Sequence, residues 1–303
     1  MSTTTRRFAM IAATFVVVIL VLVACGGPSG APMAVPEAAQ AGDLLGLEPC
    51  TYKANKVEYA ADCGTLVVPE NRSDPDSRLI ALPVMRIHAT GNNPTEPIFR
   101  LGGGPGLSNM GSSVVPWFIE NHDVVLVGYR GMDGTVRLDC PEVSEIIRAG
   151  GYDDILSDAA LEGSSAAYAR CAERLQNEGV DLAGYTATEL IDDIEAARVG
   201  LAYERINLIS TSFGTNVARI YAYMYPESIY RSVMIAVDTP GATIHEAEVV
   251  DELIRAYADL CAQDAECSAR TDDLAETMRT VSHDMPERWL FLPINPGLVK
   301  AGT

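Results

Sequence analysis

Short apolar runs alternate with longer amphipathic segments along the middle of the chain. The first two runs have no helix between them and predict a hairpin, whereas helical stretches separate the later ones. This alternation predicts an α/β fold, with a mostly parallel sheet covered by helices on both faces. The six predicted strands are residues 65–68, 79–88, 97–101, 123–127, 206–209 and 233–237.

Helical periodicity is clearest over residues 188–201. Its apolar residues share one face, and its acidic residues fall largely elsewhere, which predicts a solvated acidic face and not a catalytic cluster. The apolar face is formed by Leu190, Ile194, Ala197 and Leu201, and the acidic residues are Glu189, Asp192, Asp193 and Glu195. Further helices are predicted over residues 216–225, 246–261 and 272–283, and no strand is predicted after residue 237.

A serine motif, STSFG at residues 210–214, lies between an apolar run and a helical stretch. In a nucleophile elbow the chain turns so sharply from strand to helix that the flanking residues must be small. Ser210 and Gly214 are small, although the first of these positions is usually glycine. Ser212 is therefore the candidate catalytic nucleophile. The alternative is a serine that only ends a strand and caps the next helix.

A glycine-rich loop, GGGPG at residues 102–106, follows the third apolar run. A phosphate-binding P-loop would need Gly-Lys-Ser/Thr at its end, and a dinucleotide fingerprint would need glycine where Leu107 stands. The remaining interpretation is an oxyanion loop. In it, backbone N–H groups of Gly103 or Gly104 and of Phe213 would hold a developing alkoxide. A plain glycine turn is the alternative.

The order of these motifs resembles the α/β-hydrolase fold and, within it, the secreted prolyl and tripeptidyl aminopeptidase family. The resemblance implies a serine hydrolase that needs no cofactor, with Ser212 as nucleophile and an oxyanion hole near Gly103 and Gly104. The family usually has histidine or glutamine at Gly102 and glycine at Ser210. The resemblance covers about residues 45–270. Its motifs are GGGPG at 102–106, DVVLV at 123–127, YRG at 129–131, then 193–198, 210–214 and 221–226.

The predicted organisation is an incomplete α/β-hydrolase core over residues 45–240 and a partial helical cap over 241–303. In this fold the acid and the histidine of the triad follow the nucleophile, from loops after later strands. Helices and not strands are predicted after the core, so we expect the acid and the histidine to lie beyond residue 303. Asp238 with His245, or His283 alone, is the alternative.

The N-terminus has the pattern of a bacterial lipoprotein. Two arginines precede an apolar run, residues 8–24, that ends at the cysteine of LVACG. The run is short for a full membrane span, although a retained membrane helix is the alternative. We expect a signal peptide over residues 1–24, lipidation at Cys25 and a flexible tether over 25–44. The protein would then be anchored to the outer face of the cell membrane.

Charge narrows the range of partners. The chain has 22 basic and 41 acidic residues, a net charge of −19. Such a charge argues against nucleic acid as a ligand and against adsorption to anionic lipid headgroups. Membrane attachment is therefore expected through the lipid at Cys25, and the expected partner is a short peptide or ester substrate.

Seven cysteines support an oxidising compartment. Without Cys25 six remain, and their nearness in sequence together with the family resemblance predicts three disulfides. Fifteen pairings are formally possible, and free thiols or a metal site are the alternatives. No histidine lies at ligand spacing from a cysteine pair, so no metal is expected. The predicted pairs are Cys50 with Cys63, Cys140 with Cys171, and Cys261 with Cys267.

The sequence thus predicts an extracytoplasmic serine hydrolase acting through an acyl-enzyme, most simply an exopeptidase that removes N-terminal residues from short peptides. The same site chemistry cleaves esters, so an esterase or lipase is the alternative within the enzyme class. A surface lipoprotein that keeps the fold without catalysis is the alternative outside it, since Gly102 and Ser210 depart from the family pattern.

Overall fold

A mixed β-sheet forms the centre of the computed structural model, which describes residues 33–113, 115–148, 157–238, 247–286 and 288–294. Within these residues the sheet has seven strands. They are β1 (Leu44–Ala54), β2 (Val57–Pro69), β3 (Leu79–Ile87), β4 (Thr95–Leu101), β5 (His122–Val127), β6 (Ile206–Thr211) and β7 (Ile229–Ile235).

The strand order is β1-β2-β3-β5-β4-β6-β7. Antiparallel pairs join β1 to β2, β2 to β3 and β3 to β5, whereas β5, β4, β6 and β7 are parallel neighbours. Five strands, β2, β5, β4, β6 and β7, therefore run in one direction and β1 and β3 in the other, and this mostly parallel sheet is the kind found in the α/β-hydrolase fold. The predicted fold and the predicted hairpin, β2–β3, are therefore confirmed.

Three strands depart from the sequence prediction: β1, β7, and β2, which begins at Val57 and not at the predicted residue 65. No apolar run predicts β1, because this edge strand alternates between polar and partly buried residues and carries no continuous apolar segment. β7 begins at Ile229, four residues before the predicted start, and most of its residues are exposed. Apolar runs identify strands that are buried on both faces, and they miss strands at the sheet edge.

The helices occupy the connections between strands. Those at 187–200, 213–224, 247–263 and 274–283 match predicted helices to within a few residues, whereas the sequence pattern did not single out those at 141–148 and 158–177. The described helices are α1 (Val115–Phe118), α2 (Pro141–Arg148), α3 (Asp158–Asn177), α4 (Ala187–Gly200), α5 (Phe213–Met224), α6 (Ala247–Gln263), α7 (Ala265–Ser268) and α8 (Leu274–His283).

Helices pack on both faces of the sheet. Val125 and Val127 point into the larger core with the buried faces of α4 and α5, and Tyr221 is one of its largest fully buried side chains. Alternate residues of the same strand, Val124 and Leu126, face a second core with α1. The alternation follows from the two-residue repeat of a β-strand. It also confirms that this part of the sheet is covered on both sides.

The predicted solvated face of α4 is wrong for two of its acidic residues. Asp193 is fully buried, and Glu189 is 8% exposed. Arg130 Nε lies 2.6 Å from Asp193 Oδ2, and Arg72 Nη2 lies 2.7 Å from Asp193 Oδ1. These guanidinium groups come from loops distant in sequence, so helical periodicity gives no sign of them. They supply the charge pairing that a buried carboxylate requires.

The three predicted disulfides are confirmed. They join Cys50 to Cys63, Cys140 to Cys171, and Cys261 to Cys267. The first links β1 to β2, the second links the start of α2 to α3, and the third links α6 to α7. Glu142 lies near the second pair, but both sulfur atoms there are used in the disulfide and offer no thiolate to a metal.

A small hairpin follows α8, although no strand was predicted there. It consists of β8 (Arg288–Trp289) and β9 (Leu292–Pro293) and does not join the seven-stranded sheet. The predicted signal peptide, Cys25 and the core–cap boundary at residue 240 lie outside the described residues. Within the described ranges, no helix has both the length and the apolarity needed to cross a membrane.

Candidate active site

Ser212 adopts a strained backbone conformation between β6 and α5. Its φ is 54° and its ψ is −127°, a combination that costs a non-glycine residue about 1–3 kcal/mol and persists only where neighbours enforce it. Its N–H donates to Ile235 O at 3.0 Å, and its C=O accepts from Thr215 N at 2.7 Å. The side chain is half-buried, so its hydroxyl can be reached. This is the geometry expected of a nucleophile elbow.

The flanking residues fit the sharp turn. A Cβ on Gly214 would overlap the carbonyl oxygen of Leu101 and lie 2.8 Å from that of Gly102. Glycine at 214 is therefore required for the close approach of α5 to the end of β4. Ser210 is fully buried, and its Oγ donates to Val233 O at 3.2 Å. The bond to β7 shows how a serine fits where the family usually has glycine.

The glycine-rich loop lies directly against Ser212. A Cβ built on Gly103 would be 3.2 Å from Ser212 Cβ and 3.8 Å from Ser212 Oγ. The two motifs meet because β4 and β6 are adjacent parallel strands, so the loops after them leave the same edge of the sheet. The connection after β4 leads to β5 on one side, whereas the connection after β6 leads to β7 on the other, and such a switch point is where open α/β sheets form their sites.

Asn109 holds this loop in place, and no sequence motif points to it. Its side chain is completely buried. Oδ1 accepts from Gly102 N at 2.9 Å, and Nδ2 donates to Arg100 O at 3.0 Å and to Val127 O at 2.9 Å. The N–H of Gly102 is thus already used. Of the predicted oxyanion loop, the backbone N–H groups still to be considered as donors therefore begin at Gly103.

Asp133 extends the same network to the loop after β5. Its Oδ2 accepts from Tyr129 N at 2.8 Å and from Asn109 N at 3.1 Å. The Tyr129 hydroxyl donates to Gly102 O at 3.4 Å, and burial raises the pKa of this phenol, which keeps it protonated as a donor. Residues after β4 and β5 are joined in one hydrogen-bonded unit that only the folded chain assembles.

Arg130, the arginine of the YRG motif, is buried and holds neighbouring loops together through hydrogen bonds. Arg130 is 7% exposed and donates two hydrogen bonds to Asp193, at 2.6 and 2.7 Å. It also donates to Glu70 O at 2.7 Å. One side chain thereby ties the loop after β5 to α4 and to the end of β2. It shapes the loops at the edge of the sheet where Ser212 lies.

The alternative triad residues are not brought together in the described structure. Asp238 follows β7, and its Oδ2 accepts from Asn216 Nδ2 at 2.8 Å, in the first turn of α5. His245 lies outside the described residues, and His283 is exposed at the end of α8. The position of Asp238 next to the elbow helix is the single element of this alternative that the structure shows.

Two further histidines lie at the wrong edge of the sheet. His122 begins β5, where its ring nitrogen Nδ1 lies 2.8 Å from Glu96 O. His88 follows β3 and lies 3.1 Å from Asp62 Oδ2. β3 is antiparallel to β5, and Ile87 pairs with Val124, so both histidines are at the amino ends of the parallel strands. Ser212 is at the carboxyl ends.

Sequence comparison finds relatives among serine peptidases. The chain is 26% identical over 227 residues to tripeptidyl aminopeptidase from Streptomyces lividans, covering 70% of this chain and 41% of that protein. It is 26% identical over 288 residues to serine protease Hip1 from Mycobacterium tuberculosis, covering 88% of this chain and 54% of that protein. The chain spans about half the length of these relatives. They confirm the resemblance predicted from the motifs.

Comparison with protein-family models and with solved structures adds little to these sequence relatives. No protein-family model matches the chain. Among solved structures, the proline iminopeptidase-related protein from Thermus thermophilus is 18% identical, with 56% of this chain and 43% of that chain covered and a TM-score of 0.33. A TM-score this low carries no weight, and the fold assignment rests on the strand order.

Proposed function

We propose that this α/β-hydrolase-fold relative of tripeptidyl aminopeptidase and serine protease Hip1 is a serine hydrolase whose nucleophile is Ser212. One observation carries the proposal: Ser212 is held at φ 54° beside Gly103 of the loop after the neighbouring strand. A strained serine next to a glycine loop is costly for a purely structural turn. It is what acyl transfer requires, since the strained turn presents a half-buried serine directly beside a glycine loop whose backbone can approach a substrate.

In the proposed reaction the Oγ of Ser212 attacks the scissile carbonyl and forms a tetrahedral intermediate. Its oxyanion would accept hydrogen bonds from the N–H of Phe213 and from an N–H of Gly103 or Gly104. Phe213 is the first residue of α5, so the positive end of the helix dipole also favours the negative charge. As the intermediate collapses and the C–N bond breaks, the general base gives the proton taken from Ser212 to the leaving amine, and water then hydrolyses the acyl-enzyme that remains.

The general base in this proposal lies outside the described residues. His88 and His122 are excluded by their position at the opposite edge of the sheet. A histidine must come within hydrogen-bonding reach of Ser212 Oγ to remove its proton.

We further propose that the substrate is a short peptide cleaved near its N-terminus. The support is the similarity to a tripeptidyl aminopeptidase, together with α6–α8, which follow β7 as a helical segment over residues 247–283. A cap built on such helices would restrict the site to small substrates and favour exopeptidase activity over cleavage of folded proteins.

An extracytoplasmic location is part of the proposal. The three disulfides require an oxidising compartment. The predicted lipoprotein signal peptide over residues 1–24 would direct the protein there, with lipidation at Cys25 holding the enzyme at the outer face of the membrane. A Cys25→Ser variant should move from the membrane fraction to the soluble fraction, and retention of this variant in the membrane would overturn the anchoring proposal.

A substrate panel tests the proposed activity. The complete protein would be assayed with tripeptidyl-aminomethylcoumarin and with p-nitrophenyl esters, alongside Ser212→Ala and the control Ser165→Ala, an exposed serine on α3. We expect tripeptide cleavage that is lost in Ser212→Ala and kept in Ser165→Ala. Ester cleavage without tripeptide cleavage would point to an esterase. Equal activity in Ser212→Ala would refute the nucleophile.

A further inference from the structure

We propose that Thr215 is a positioning residue that holds the strained conformation of Ser212; its importance for reactivity rests on the proposed function. Thr215 is the third residue of α5 and is 1% exposed. Its hydroxyl is placed between the elbow and the segment that follows β7. Among the described residues it is the side chain whose hydroxyl bonds directly to the carbonyl of Ser212.

The hydroxyl of Thr215 both accepts and donates a hydrogen bond. Oγ1 accepts from Asp238 N at 2.8 Å and donates to Ser212 O at 2.7 Å. Asp238 O is a second acceptor but lies farther away, at 3.4 Å. A hydroxyl has a single proton, and the shorter contact is to Ser212 O, so the elbow carbonyl is the main acceptor.

The peptide groups on both sides of Ser212 are thus fixed to the end of β7. Its N–H bonds directly to Ile235 O at 3.0 Å. Its C=O is connected to Asp238 N through the Thr215 hydroxyl. A residue at positive φ tends to relax toward common backbone regions, and these two attachments oppose that relaxation together with the Thr215 N–H, which also donates to Ser212 O at 2.7 Å. Relaxation would move Ser212 Oγ away from Gly103.

A second hydrogen bond, which does not involve Ser212, attaches the segment after β7 to α5. Asn216 Nδ2 donates to Asp238 Oδ2 at 2.8 Å. Asp238 is therefore held by the first turn of α5 through both its backbone and its side chain. The Thr215 hydroxyl therefore accepts from a fixed donor, Asp238 N, and donates to the carbonyl of Ser212, which it restrains. In this arrangement Thr215 acts on the nucleophile through the backbone and makes no contact with a substrate.

Valine and serine substitutions separate the hydroxyl from the bulk of the side chain. Thr215→Val keeps the shape and removes both hydrogen bonds, whereas Thr215→Ser keeps the hydroxyl. A matched control is Thr135→Val. Thr135 Oγ1 also accepts from a backbone N–H and donates to a backbone C=O, both of Ala81, at 2.9 and 3.3 Å. It lies on the loop after β5 and does not contact the elbow.

Two readouts would be measured on the complete protein: the rate at which a fluorophosphonate probe labels Ser212, and the hydrogen-exchange rate of the Ser212 amide. We expect Thr215→Val to slow labelling by at least about tenfold and to speed amide exchange by about tenfold, the scale set by unsatisfied buried polar groups. Thr215→Ser should restore both rates to within about threefold of wild type. Thr135→Val should lower the melting temperature but leave both rates unchanged.

The outcomes distinguish this inference from the proposed function. If wild type is not labelled at all, the proposed function fails, and the amide exchange of Ser212 still decides the role of Thr215. Unchanged exchange in Thr215→Val would overturn the positioning role. So would equal effects of Thr135→Val on both rates, because these would reflect general destabilisation. Labelling unchanged in Thr215→Val, with faster exchange, would overturn the link to reactivity.

Discussion

Gly103 lies against Ser212 so closely that a Cβ on the glycine would be 3.2 Å from Ser212 Cβ and 3.8 Å from Ser212 Oγ. The space beside the hydroxyl is therefore open only because residue 103 has no side chain. In the proposed mechanism this is the space that the oxyanion of the tetrahedral intermediate would enter. The relationship joins two motifs that are 109 residues apart in sequence.

The first prediction concerns this space. Gly103→Ala should lower kcat/KM at least about tenfold, because the added methyl group lies 3.2 Å from both Ser212 Cβ and Thr211 O and shifts the loop that carries an oxyanion donor, a loss comparable to removing one such donor. Gly111→Ala is the control, since a Cβ there would meet nothing within 4 Å. Steady-state kinetics on a tripeptide substrate measures the effect, and equal kcat/KM values in the two variants would exclude an oxyanion role for Gly103.

A second prediction concerns the residue that fixes the loop. Asn109→Ala leaves the buried groups Gly102 N, Arg100 O and Val127 O without their partner. We expect a loss of about 2–4 kcal/mol in the free energy of unfolding. Urea denaturation measures it, with the exposed Asn177→Ala as control. A loss no greater than that of the control would show that Asn109 does not brace the loop.

The buried acid of α4 gives a third prediction. Asp193→Asn removes one of the two carboxylates that pair with Arg130 and Arg72, Glu189 being the other, and breaking a buried ion pair typically costs about 3–5 kcal/mol. The control Asp259→Asn removes an exposed carboxylate on α6 and should change stability by less than about 0.5 kcal/mol. Similar denaturation midpoints for the two variants would contradict the structural role of Asp193.

A fourth prediction concerns pH. The hydrogen bond from Arg86 to Asp62, with a smaller contribution from His88, holds the pKa of Asp62 below its ordinary value. A lowered folded-state pKa stabilises the protein above the ordinary carboxyl pKa of about 3.9, and this stabilisation is lost as pH falls toward the folded-state pKa.

Wild type should therefore be more stable than Asp62→Asn at about pH 6, and the difference should shrink as the pH falls below about 4. Thermal unfolding of both proteins across this range measures the difference. A constant difference in melting temperature would show that the Asp62 carboxylate contributes nothing through its charge.

The core of the fold could be predicted because its signals are local. Ile206–Thr211 and Phe213–Met224 show a buried strand and an amphipathic helix in their own sequence, and the elbow between them is a short motif. β1 escaped prediction because an edge strand alternates polar and apolar residues. The first eight residues of β2 were not predicted for the same reason, since they pair mainly with the edge strand β1.

The supporting residues of the site could not be predicted, because their roles depend on contacts distant in sequence. Asp193 resembles a solvated helix residue until Arg130 and Arg72 are brought onto it by the folded chain. Asn109 is a lone polar residue in a loop, and its partners lie on two different strands. Thr215 gains its role only because β7 ends beside α5.

The most direct test of the central claim is the site of covalent modification. The complete protein would be treated with a fluorophosphonate probe, digested, and analysed by mass spectrometry, with Ser212→Ala and Ser165→Ala treated in parallel. We predict a single phosphonylated serine, Ser212, in wild type and in Ser165→Ala, and no adduct in Ser212→Ala. An adduct on another serine, or an unmodified Ser212 in folded wild-type protein, would contradict the assignment of Ser212 as the nucleophile.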